Sequence, residues 1–192
     1  MTYLKKNIGF IITMIFFAAM IFIPEFKATI LQGLMKVGLF KPGIDKPGIV
    51  SQGTFARAPY VELISSKGER LNLADAKGKV IFLNFWATWC PPCIAEMPSI
   101  QALKDKLNHS DSVIFAMVDA DNKLPSSVAF MTKNKYTMPV YVQATAIPES
   151  LFGGSLPTTV IINKKGEIVL KHEGLGNYDS PEMISLINEL SK

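Results

Sequence analysis

Two stretches of this chain, residues 80–86 (VIFLNFW) and 113–118 (VIFAMV), are almost continuously apolar. A strand with one face in water alternates apolar and polar residues. An unbroken apolar run fits a strand buried on both faces, as in a parallel sheet covered by helices. Between the two runs Met97, Ile100, Leu103 and Leu107 recur at helical spacing. Strand, helix, strand in that order predicts a right-handed crossover, and hence an α/β fold with a central sheet flanked by helices. A second helix is predicted over 126–133, with Pro125 and Ser126 as start signals. Residues 60–64 and 70–73 flank Ser65-Ser66-Lys67-Gly68, and 159–162 and 167–171 flank Asn163-Lys164-Lys165-Gly166; each set predicts a hairpin. A last helix is predicted from Pro181 to Leu190, with Met183, Ile184, Ile187 and Leu190 on one face.

The 192 residues suffice for one domain and are too few for two comfortable ones. Ahead of that domain, Lys5 and Lys6 precede an uncharged run over 8–23, which Pro24 and Glu25 end. Its sixteen residues fall short of a perpendicular span of about 20, although Tyr3 and Phe26 can sit at the interfaces. A cleavable signal would need small residues at the cleavage site, and Pro-Glu-Phe-Lys-Ala follows instead. The expectation is an uncleaved single-pass membrane anchor over 1–25, a juxtamembrane segment and linker over 26–54, and a folded domain over 55–192. An anchor and a cleaved signal would both carry the domain out of the cytoplasm, and the early lysines predict a cytoplasmic N-terminus. Ile30, Leu31, Leu34, Met35 and Val37 predict an ordinary juxtamembrane helix, in preference to one lying on the membrane surface.

The net charge of +4 comes from scattered lysines with no aromatic-interleaved basic cluster, so nucleic acid is not an expected partner. Two cysteines occur, Cys90 and Cys93, spaced C-x-x-C. A disulfide-stapled scaffold would carry more, and so small a loop constrains the unfolded chain very little. Chemistry is the better explanation. Cys90 falls just past a buried strand and Cys93 in the first turn of the next helix, where unpaired N–H groups and the helix dipole favour a thiolate. Cys90 is the expected nucleophile, and Cys93 reaches back to resolve the mixed disulfide. Pro91 and Pro92 have no N–H, which leaves Cys93 and Ile94 as donors to the Cys90 sulfur and points towards a reductant. A zinc site would need His109 and His172, the only histidines, and neither has ligand spacing. No metal is expected, and no cofactor beyond the redox-active disulfide. An inert buried pair is the bland alternative.

The run Asn84-Phe85-Trp86-Ala87-Thr88-Trp89-Cys90-Pro91-Pro92-Cys93, followed by Glu96-Met97-Pro98, resembles the TlpA/ResA family of thioredoxin-like proteins. Gly154-Ser155-Leu156-Pro157-Thr158-Thr159 and Asn163-Lys164-Lys165-Gly166 are similar to that family's second signature, and the resemblance covers most of 58–174. It implies a thioredoxin-like fold with a mixed sheet, tethered to the outer, periplasmic face of the cytoplasmic membrane. It implies reduction of disulfides in client proteins, apocytochromes c among them, with electrons drawn from a membrane thiol carrier. Pro157 matches the family's cis-proline facing the cysteines, and Leu156 the residue that pairs with substrate backbone. Trp86 and Trp89 match aromatics around the site, and Pro98 the kink of the active-site helix. Glu96 matches an acid near the cysteine pair, where a carboxylate would raise the thiol pKa; its alternative role is a first-turn glutamate complementing the helix dipole. Asn84 stands where thioredoxins carry a buried aspartate. An amide cannot accept a proton, so Glu96 or water must. The alternatives to a reductase are an oxidase or isomerase, differing in redox poise alone, and a copper metallochaperone, which would need further soft or imidazole ligands.

Overall fold

The computed structural model describes residues 7–40, 42–44, 56–75, 78–107 and 112–192. Two N-terminal helices, α1 (Ile8–Phe22) and α2 (Pro24–Lys36), precede the hairpin β1 (Glu62–Ser65) and β2 (Arg70–Asn72). Then come β3 (Val80–Trp86), α3 (Pro91–Lys106), β4 (Val113–Asp119), α4 (Leu124–Lys133) and β5 (Val140–Gln143). The chain closes with β6 (Thr158–Ile162), β7 (Ile168–Glu173) and α5 (Pro181–Leu190). The seven strands form one mixed sheet in the order β2-β1-β5-β4-β3-β6-β7. β3 pairs parallel with β4, with Val80 opposite Val113 and Trp86 opposite Asp119, and antiparallel with β6, with Phe85 opposite Thr158.

Every residue of β3 is buried. Val80, Phe82 and Trp86 face a core shared with Met97, Ile100 and Leu103 of α3, Phe130 of α4 and Ile187 of α5. The opposite face, Ile81, Leu83 and Phe85, differs from the expected helical cover. Among the described residues its core contains no helical one and is closed by Val61, Leu73, Leu151 and Phe152 from turns and irregular segments, with Phe152 stacked on Phe85 at 4.7 Å. Apolar loop side chains there take the part of a second helical layer.

Three further details depart from the sequence pattern. α4 starts at Leu124, not Ser126, and Ser126 does not cap it. The turn is set by Asp119, whose carboxyl accepts from the N–H groups of Asp121 (3.0 Å) and Lys123 (2.7 Å) and from the Ser127 hydroxyl (2.9 Å). β5 has no sequence signature of its own; it is a strand because it lies between β4 and β1 and pairs with both. β1 begins at Glu62, where its ladder with β2 starts opposite Asn72.

α1 buries none of its 15 residues. Among the described residues no single helix is long and apolar enough to cross a membrane; α1 and α2 qualify only as a pair bent by 98°. Tyr3, Lys5 and Lys6 lie outside the described residues, as does most of the predicted linker. α2 rests on the folded domain: Ala28 is completely buried, Leu31 packs against the core of α3, and Glu25 pairs with Lys133 of α4 at 2.8 Å.

Candidate active site

Cys90 is the N-cap of α3, with Pro91 and Pro92 filling the first two helical positions, where a missing N–H is harmless. The two cysteines are bonded, Sγ to Sγ, at 2.04 Å. The Cys93 N–H donates to Cys90 Sγ at 3.3 Å. The Ile94 N–H, expected as a second donor, is taken by the Cys90 carbonyl at 3.0 Å, the first bond of the helix. One backbone donor therefore reaches the sulfur. Cys90 is 3% exposed and Cys93 0%, so what access there is belongs to Cys90.

The Leu156–Pro157 peptide is cis. Since Thr158 lies opposite Phe85, Pro157 falls level with Trp86, at the end of β3 from which the chain runs to Cys90. Leu156 beside it is half-buried. Trp89 is 55% exposed, with its indole N–H donated to Asp121 Oδ2 at 2.7 Å. Trp86 is buried against Phe130, ring centroids 5.3 Å apart. These residues border the end of the sheet that carries the disulfide.

Beneath it lies a polar cluster. Glu96, one helical turn past Cys93, is completely buried. Its Oε1 accepts from Asn84 Nδ2 at 2.8 Å and its Oε2 from the Gly176 N–H at 3.0 Å. Asn84 Nδ2 also donates to Thr159 Oγ1 at 2.9 Å, its directly opposed partner on β6, and the Tyr178 hydroxyl donates to the same oxygen at 2.6 Å. Gly176 is required by space: a Cβ there would meet the Tyr178 ring at 2.7 Å.

Burial pushes the Glu96 carboxyl up to about 8, against the pull of its hydrogen bonds from Gly176 and Asn84. Burial, with Glu96 nearby, likewise holds the Tyr178 phenol well above its ordinary value of 10.0, so it remains a donor. The helix-dipole role for Glu96 does not hold, because the residue lies in the second turn and faces the core. Its influence on the thiols changes as well. Near neutral pH the oxidised protein carries a neutral acid here, and a negative charge appears only above about 8.

Asn84 stood out in the sequence only as a missing aspartate, and Thr159 only as part of a motif. Gly176 and Tyr178 gave no signal, because their contacts with Glu96 and Thr159 join segments up to 80 positions apart. Among the described residues no group of three or more His, Cys, Asp or Glu is placed to hold a metal. His172 lies on β7 with Nε2 3.5 Å from the Leu175 carbonyl, and His109 is outside the described residues.

The Redoxin family model matches residues 54–184. Thioredoxin-like protein YneN of Bacillus subtilis is 36% identical over 119 residues, 62% of this chain and 70% of that protein. Thiol-disulfide oxidoreductase ResA of Bacillus cereus is 36% identical over 115 residues, 59% of this chain and 66% of that one. Among solved structures, the exposed lipoprotein thioredoxin Etrx1 of Streptococcus pneumoniae superposes with a TM-score of 0.52 at 27% identity, covering 68% of this chain and 99% of its own. The architecture is the thioredoxin-like α/β fold.

The raised carboxyl makes stability pH-dependent. Glu96 stays protonated in the native oxidised protein up to about 8, whereas the unfolded chain releases that proton near 4.5. Between those values the native state binds more protons, so stability falls as pH rises. Glu96→Gln should remove that slope: in urea unfolding of the oxidised protein it should gain a few kcal/mol on wild type between about pH 5 and pH 8. Parallel stability curves would contradict the assignment.

Proposed function

The chain belongs to the Redoxin family and is a thiol-disulfide oxidoreductase, and we propose that it works as a reductase of disulfides in client proteins. The observation that carries this direction is the single backbone donor to Cys90 Sγ. A sulfur with few donors holds a poorly stabilised thiolate, and a poorly stabilised dithiol gives up its electrons readily. An oxidase or isomerase on the same frame would want the opposite.

In the proposed cycle the Cys90 thiolate attacks one sulfur of a client disulfide. A mixed disulfide forms, and the first client sulfur leaves as a thiolate and takes up a proton. Cys93, deprotonated, then attacks Cys90 Sγ. This closes the Cys90–Cys93 bond and releases the second client sulfur. Two electrons pass to the client, and the chain ends oxidised. Glu96 is the proposed acceptor for the Cys93 proton, since Asn84 cannot take it. A carboxyl held at about 8 lies close to an ordinary thiol, and its ionised form, whose share grows as pH rises through that value, is the one that takes the proton. Leu156 would align the client's backbone and the exposed Trp89 ring would pack beside it. A membrane thiol carrier would return the protein to the dithiol form, with no further cofactor. Apocytochromes c fit as clients through the family resemblance. Copper delivery would need a further ligand beside the pair, and among the described residues no His, Asp or Glu joins Cys90 and Cys93 in a group of three.

Localisation belongs to the same proposal. The apolar side chains of α1, Phe10 and Ile15 among them, are exposed along the whole helix, and a bilayer is the solvent that suits them. A single-pass anchor would hold the domain against the outer face of the cytoplasmic membrane. The similarity to a protein described as an exposed lipoprotein supports that side of the membrane.

Cys93→Ser should accumulate mixed disulfides in cells, all through Cys90, and dithiol treatment should release the clients. Adducts through Cys93 in a Cys90→Ser chain, in comparable yield, would reverse the roles. Protease added to spheroplasts should digest residues beyond Phe40 while the chain stays in the membrane fraction. A protected domain, or one recovered in the soluble fraction, would overturn the topology or the anchor respectively.

A further inference from the structure

Pro98 lies inside α3. A proline there has no N–H to give to the carbonyl four residues back, which is that of Ile94. The segment that carries Cys93 and Glu96 is therefore joined to the rest of its helix by one hydrogen bond fewer than a regular helix would supply. Ile94 is 6% exposed, so its carbonyl has little access to bulk water. A donor arrives from elsewhere: Gln32 Nε2 of α2 lies 3.2 Å from the Ile94 oxygen. The opposite amide orientation would set two oxygens against each other, so the chemistry fixes which atom faces the carbonyl.

α2 is held at two further points. Ala28, four residues before Gln32 and on the same helix face, is completely buried. Lys133 of α4 grips both Glu25 carboxylate oxygens, at 2.8 and 3.1 Å. A cavity of about 320 Å³ opens beside the Gln32 bond, lined in part by Met35, Ala95 and Ser99. Water could enter there if the amide were removed, which limits the loss to less than a fully buried unmet carbonyl.

We propose that α2 is a built-in part of the redox centre, with Gln32 the positioning residue that supplies, from outside α3, the hydrogen bond Pro98 removes. This rests on reading Cys90–Cys93 as the working redox couple and makes no use of the membrane anchor. The clamp matters most when the pair is reduced. In the oxidised protein the disulfide itself ties Cys90 to the first turn of α3; in the dithiol form that tie is gone and Gln32 remains. Losing the amide should therefore disfavour the reduced state more than the oxidised one.

The test is a double-mutant cycle on the full chain, with Gln32→Met measured in the Pro98 and Pro98→Ala backgrounds. Alanine at 98 restores the helical donor, so Gln32 becomes dispensable. Two quantities are read: amide exchange of residues 94–97 in the reduced protein, and the reduced-to-oxidised ratio of the pair in a glutathione buffer. With Pro98 present, Gln32→Met should speed exchange about 5- to 10-fold and lower the ratio about 3-fold; with Ala at 98 both changes should shrink below about 2-fold. Equal effects in the two backgrounds would mean general packing and overturn the proposal, as would no effect in either. Gln32→Glu, which keeps the size and loses the donor, should be at least as severe as Gln32→Met; wild-type behaviour would also overturn it. A wild-type pair that never equilibrates with glutathione would instead sink the functional reading, before any variant is compared.

Discussion

The burial of β3 on both faces is the constraint from which the rest follows. A strand with no solvent face has one register with its neighbours, since a shift of one residue would exchange its two sets of side chains between different cores. That fixes Asn84 against Thr159, Phe85 against Thr158, and the end of the strand at Trp86. Everything chemical hangs on that end. Cys90 caps the helix that leaves it, Pro157 enters β6 level with it, and Glu96 is carried under it by the second turn of α3.

Glu96 shows how the fold turns position into reactivity. A carboxyl among apolar residues would keep its proton at all but strongly basic pH; Asn84 and Gly176 offset part of that penalty, leaving the group near 8. The Asn84 amide is itself held by Thr159, which is held by Tyr178, so a chain of neutral hydrogen bonds fixes the orientation of the acid. Asn84 Oδ1 has no partner among the described residues. An aspartate in place of Asn84 would put a second titrating carboxyl beside Glu96, and the two would share their protonation steps. The amide leaves the proton chemistry to one group.

Much of this architecture was legible in the residue pattern, and the exceptions have physical causes. β3, β4 and α3 were readable because continuous apolar runs and a helical period are strong signals. α5 was readable because its apolar face is regular, and the Ser180 cap seen in the structure fixes its start. β5 was not, because four residues carry no period and their strand state comes from neighbours on both sides. The cover on the Ile81, Leu83 and Phe85 face was misjudged because isolated apolar residues in loops, Leu151 and Phe152, do not announce that they will pack. Cys90, Cys93, Pro157 and Glu96 could be named from the chain. The partners that set the state of Glu96 could not, since Gly176 and Tyr178 meet it only in three dimensions. The segment read as juxtamembrane packs on the active-site helix, through Ala28 and Leu31 as well as through the Gln32 bond to the Ile94 carbonyl.

The central claim is that this pair gives electrons to clients, and its equilibrium with glutathione tests that most directly. Purified wild-type chain would be brought to equilibrium in glutathione buffers and the Cys90–Cys93 couple scored by thiol alkylation. With a single backbone donor to the Cys90 sulfur, the couple should lie on the reducing side of glutathione, so that the disulfide dominates when oxidised and reduced glutathione are balanced. A pair that stays in the dithiol form under those conditions would be an oxidant, and the assignment as a reductase would be wrong.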